Sequence, residues 1–154
     1  MYYMSHTEDY VREMYFKIGI KSPIQLDFLQ IARKLGIKVF YWKEPSQAVF
    51  IKDFSYIFLN EYLDEQQKWQ DFCHELAHVL LHTGNQKRMS SRFREYQEAK
   101  ANHFMYHTCV PTFMLNEIKA DYLTANQVAQ TFNVTEQFAR IRLERYISKQ
   151  LLHI

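Results

Sequence analysis

From about Asp64 to His82 the sequence alternates with a helical period. Trp69, Phe72, Cys73, Leu76 and Leu80 fall on one side of the wheel, and Asp71, His74, Glu75, His78 and His82 fall on the other. A chain carrying this segment must build a core against the first side and leave a row of imidazoles and carboxylates on the second. Only three Gly and three Pro interrupt the 154 residues, which suits long helices and argues against a many-turned β-sandwich. Before this segment, residues 8 to 18 and 24 to 35 read as amphipathic helices. The second carries Ile24, Phe28, Ile31 and Leu35, starts after Ser22-Pro23 and stops at Gly36. The period then shortens. Residues 38 to 42, 48 to 51 and 56 to 59 are β-branched and aromatic runs, separated by Glu44-Pro45-Ser46 and by Lys52-Asp53-Phe54-Ser55, and predict a small, mostly antiparallel sheet. After Gly84-Asn85 come a helix from about Arg92 to Thr108, closed by Val110-Pro111, and two more over 124 to 131 and 135 to 150. The expectation is one α+β domain over residues 1 to 154, a small sheet packed on helices, with a helix-turn-helix-like element at 124 to 150.

Composition removes several function classes. Hydrophobic residues are 47% of the chain and aromatics 16%, ample for a core at this length. A net charge of +2 lacks the basic footprint of a dedicated nucleic-acid binder and argues against direct DNA binding. No run approaches the roughly 18 apolar residues a membrane helix needs, and the opening residues do not read as a signal peptide, so the expected location is cytoplasmic. Cys73 and Cys109 are too few for a disulfide framework and read as buried thiols. Histidine stands out: of seven, five lie between His74 and His107.

His74-Glu75-Leu76-Ala77-His78 places two imidazoles one helical turn apart on one face, close enough for a single ion to bind both. Zinc with three protein ligands keeps its fourth position for water, whose pKa it lowers to about 7. The glutamate beside the first histidine can take that water's proton and pass it to a leaving amine. By chance the motif arises about 0.02 times in a chain of this composition.

A third ligand is required. The layout that continues with Gly and a further His needs them at positions 81 and 84, where this chain has Leu81 and Gly84. The other common layout takes a glutamate from a following helix, which offers Glu98, with Glu95 as the fallback. Glu98 shares a face with Asn102, which could hydrogen-bond a ligand carboxylate. His82 reads as a neighbour of the site or a C-terminal cap of the helix. His103 and His107 lack an intervening glutamate and read as ordinary helix histidines. Zinc is the expected ion, and the same donors suit manganese or iron.

Taken together, these residues resemble the ImmA/IrrE family of metallopeptidases. The match runs through His74-Glu75-Leu76-Ala77-His78-Val79-Leu80-Leu81-His82, then Glu98-Ala99-Lys100-Ala101-Asn102-His103-Phe104, then Val110-Pro111. The resemblance implies a zincin-like fold, His74, His78 and Glu98 as metal ligands, and Glu75 as general base. Lys100 stands where many members have a second glutamate, and Met105 where many have a small residue; neither is a ligand position. The length is similar to that of short members carried by prophages and integrative elements, for which the implied partner is a phage-type helix-turn-helix repressor.

Thr124-Ala125-Asn126-Gln127 fits a capping box, Asn133 suits a left-handed turn and Thr135 can cap the last helix. That helix carries Arg140, Arg142, Arg145 and Lys149 against Glu136 and Glu144, a small excess beside the 6 to 10 phosphate contacts of a typical DNA reader. The first functional reading is a zinc-dependent endopeptidase acting on a protein, with Tyr106 as a candidate donor to the transition state and a strand among residues 48 to 59 holding the substrate extended. The alternative is a metal-binding regulator that engages a repressor or DNA without cutting. Glu75 discriminates, because only the enzyme needs it.

Overall fold

The computed structural model describes residues 5–81 and 90–152. The chain divides into two compact units, residues 28–105 and residues 1–27 with 106–154. Among the described residues no helix is long and apolar enough to cross a membrane.

The first unit opens with α2 (Phe28–Leu35), numbered after α1 (His6–Lys17) of the other unit. The expected helix over 24 to 35 is therefore shorter than its pattern. Pro23–Gln25 form a single 3-10 turn, Leu26 turns extended, and Ile24 is 95% exposed rather than part of an apolar face. Proline sets the first turn but cannot carry it onward once the next residue leaves helical geometry. Gly36 ends α2 as expected, with φ 74° and Ile37 N–H donating to Ala32 O at 2.8 Å.

Strands β1 (Lys38–Trp42), β2 (Gln47–Ile51) and β3 (Phe54–Asn60) form one sheet in the order β1-β3-β2. The expectation of a mostly antiparallel sheet is corrected here. β1 pairs with β3 in parallel and β2 with β3 antiparallel, so the sheet is mixed. Lys52-Asp53 make a tight reversal, with Lys52 at φ 55°, so β2 and β3 pair directly. The segment 43 to 46 instead spans the end of β3. Asn60 ties it there, its Nδ2 donating to Glu44 O at 3.1 Å and its N–H to Ser46 Oγ at 3.0 Å. The central place goes to the most buried strand, whose Ile57 and Leu59 are wholly buried.

Asp64 caps α3 (Glu65–Leu80) by accepting the Gln67 N–H at 2.8 Å. The helix packs on α2, β2 and β3, and its Trp69, Phe72, Cys73, Leu76 and Ala77 are all buried. Each large apolar side chain so placed stabilises the unit by about 1.5–3 kcal/mol. The polar side of α3 is not a solvated face, because Glu75 and His78 are buried as well. Helix α4 (Ser91–Cys109) begins in this unit and ends in the other. Gly84-Asn85, expected to end α3, lie outside the described residues.

The second unit contains α1, the end of α4, α5 (Thr112–Leu115), α6 (Ala125–Phe132) and α7 (Glu136–Leu151). The short α5 and a 3-10 turn at Ala120–Tyr122 had no periodic signal in the sequence. Ser5 and Glu8 form a reciprocal capping box on α1. The Glu8 carboxylate is buried and accepts from the Thr112 hydroxyl and the Lys149 ammonium. Arg142, also buried, donates to Val110 O at 2.9 Å and Thr112 Oγ1 at 2.8 Å. Thr124 caps α6, Asn133 takes the left-handed conformation (φ 55°, ψ 46°), and Thr135 caps α7.

Candidate metal centre

Two residues one turn apart on α3 and one on α4 converge within the first unit. Glu98 Oε2 lies 2.9 Å from His74 Nε2, and Glu98 Oε1 lies 3.0 Å from His78 Nε2. The two imidazoles stand with centroids 5.1 Å apart at 73°. Each of the three residues offers a ligand atom, all within 4.8 Å of one another, and among the described residues this is the one such group of His, Cys, Asp and Glu. A tetrahedral ion with bonds of about 2.0–2.1 Å places its ligand atoms about 3.3 Å apart, so small side-chain adjustments suffice to hold one. Two imidazole nitrogens and a carboxylate suit zinc, and they suit manganese or iron as well.

Burial holds the His78 imidazole below its usual pKa, opposed by the neighbouring Glu98 carboxylate. A neutral ring is the form that can donate a lone pair to a metal. Glu75, the next residue after His74, is buried, and its Oε1 accepts the Ala48 backbone N–H at 3.1 Å. Burial pushes its carboxyl up to about 8; the Ala48 N–H pulls it down, and the Glu98 and Asp71 carboxylates add to the rise. A carboxyl that exchanges its proton near neutrality is suited to act as both base and acid.

These groups line a cleft of about 1180 Å³. The segment 44 to 50 forms one wall, α3 contributes Asp71, His74, Glu75 and His78, and α4 contributes Arg94, Glu98, Asn102 and Met105. The edge strand β2 thus borders the cleft directly above the base. Glu98 joins the histidines and Glu95 does not. Asn102 lines the cleft one turn beyond Glu98. His82 lies outside the described residues. Tyr106 belongs to the other unit, where its ring stacks on Phe138 at 4.3 Å beneath the Arg145 guanidinium. His103 is exposed on α4 and His107 is buried. The residue that sequence reasoning missed is Ala48. Its contribution is a backbone N–H, which no side-chain pattern signals.

Residues 32–144 match the family profile of the IrrE N-terminal-like domain, peptidase M78. The phage-like element PBSX protein XkdA of Bacillus subtilis (strain 168) is 42% identical over 147 residues, covering 94% of this chain and 74% of that protein. The uncharacterized protein YqaB of the same organism is 34% identical over 156 residues, covering 99% and 91%. A solved Mycobacterium tuberculosis transcriptional regulator superposes with a TM-score of 0.66 at 15% identity, which shows a shared fold. The alignment covers 89% of this chain and 46% of the regulator, so the chain corresponds to about half of that protein. By profile and by relatives, this chain belongs to the ImmA/IrrE family of metallopeptidase-type proteins.

Proposed function

We propose that this chain is a zinc-dependent endopeptidase with a zincin-like active site, whose substrate is a DNA-binding repressor of a mobile element. The observation that carries the reading is the convergence of His74, His78 and Glu98 beside the buried carboxylate of Glu75 in one open cleft. The first three would hold the ion, which when bound supplies Lewis-acid activation of water and of a peptide carbonyl. Glu75 takes the proton from the attacking water and returns it to the leaving amine. Asn102 steadies the Glu98 carboxylate.

Strand β2 supports an extended protein substrate. In an antiparallel pair alternate residues turn their N–H and C=O away from the partner strand. Ala48 gives its N–H to Glu75, so Phe50, two residues on, also presents its backbone to the open edge. A substrate segment adding there would lie along the cleft wall. Helix α7 supports a protein partner over DNA. Arg140 pairs with Glu136, Arg142 is buried, Arg145 covers Tyr106 and Lys149 pairs with Glu8. The relative from a phage-like element supports a repressor of such an element as the substrate class, and a cytoplasmic location goes with that proposed substrate. The test is incubation of the zinc-loaded protein with the helix-turn-helix repressor encoded by the same element. Mass spectrometry should find a single new chain terminus, lost on chelation; an intact repressor after prolonged incubation overturns the proposal.

A further inference from the structure

We infer that the backbone N–H of Ala48 is the positioning group for Glu75, so that edge strand β2 holds the base in register with the metal donors. The inference rests on the proposed function for the role of Glu75, and on geometry for the rest. Ala48 N–H and Glu75 Oε1 meet at 3.1 Å across elements 27 residues apart in sequence. Glu75 is 8% exposed, and a buried carboxylate oxygen needs a donor to hold one orientation. The donor comes from the free side of β2, since β3 is that strand's neighbour in the sheet. Ala48 pairs with the wholly buried Ile57, so its side chain lies on the face that α3 packs against. A methyl group there lets the helix approach closely enough for the bond to form.

Proline is tolerated at an edge position whose N–H faces away from the ladder, so Ala48→Pro removes this donor without breaking the sheet, and puts its ring carbon beside Glu75 in place of the hydrogen. Should that variant fail to fold, the semisynthetic ester analogue with lactate at position 48 deletes the N–H while keeping the methyl group. The readout is the Kd of acetohydroxamate for the zinc-loaded protein, a chelator whose acidic hydroxyl needs a carboxylate beside it. Glu75→Gln serves as reference and Ala48→Ser, which keeps the N–H, as rescue. The expected result is a Kd about tenfold weaker in either N–H-deleted protein, with zinc content and thermal stability close to wild type and Ala48→Ser normal. With a substrate in hand, kcat falls while KM holds. A Kd within about twofold of wild type in the N–H-deleted protein, alongside a weakened Glu75→Gln, overturns this inference and leaves the endopeptidase reading standing. A Glu75→Gln protein that binds acetohydroxamate normally overturns both.

Discussion

His78 and Glu98 meet at 3.0 Å, ring Nε2 to carboxylate Oε1, from two different helices. The other oxygen of the same carboxylate lies 2.9 Å from His74, so one side chain of α4 spans both imidazoles of α3. The two helices are thereby registered to each other at the point where an ion would sit. Loss of any of the three side chains removes a donor that the remaining pair cannot replace.

The purified protein should accordingly hold about one equivalent of divalent metal. His78→Ala and Glu98→Ala should each weaken zinc by more than about 100-fold, since even outer partners of metal ligands are worth 10–100-fold. Equilibrium dialysis with elemental analysis measures this. Full metal content in both variants would remove the site.

Glu75→Gln keeps the shape of the side chain but cannot take up a proton. Metal content should be unchanged while kcat/KM for the cognate protein falls by about 10²- to 10⁴-fold. Biological output unchanged by this substitution would favour a regulator that acts without cutting.

Chelated protein should show a pH signature of the buried base. The Glu75 carboxyl is raised from 4.5 to about 8 in the fold, so the stability it contributes is full below about 4.5 and is lost as pH rises through about 8. His78 is lowered from 6.5, so its contribution is lost in the opposite direction, as pH falls below 6.5. Between 6.5 and 8 the slope of Glu75 remains. Thermal or urea unfolding in EDTA should show a loss on the order of 2 kcal/mol over that window. Glu75→Gln should flatten it; an equal slope in that variant would assign the effect elsewhere.

The second unit depends on a buried polar network rather than on apolar packing alone. Arg142 donates to Val110 O and Thr112 Oγ1, and Thr112 in turn donates to Glu8. Arg142→Ala should destabilise by about 3–5 kcal/mol in urea unfolding, because it leaves buried acceptors unmatched. A cost below about 1 kcal/mol would show that water replaces the guanidinium.

Local signals in the sequence determined much of what is observed. The period of α3, the stop at Gly36, the caps at Thr124 and Thr135 and the left-handed turn at Asn133 all depend on a residue and its near neighbours, so they are legible without a partner. His74 and His78 belong to this class, since helical spacing alone puts them on one face. Tertiary structure decided the rest. β3 lies between β1 and β2 because strand pairing is a non-local choice that alternation cannot specify, and Ile24 is exposed although its spacing fits a helix face. The sequence favours Glu98 with Glu95 as the fallback, and it is the packing of α4 that brings Glu98 to the histidines. The contact between Ala48 and Glu75 joins a backbone group to a side chain across the fold, and only the folded chain brings the two together.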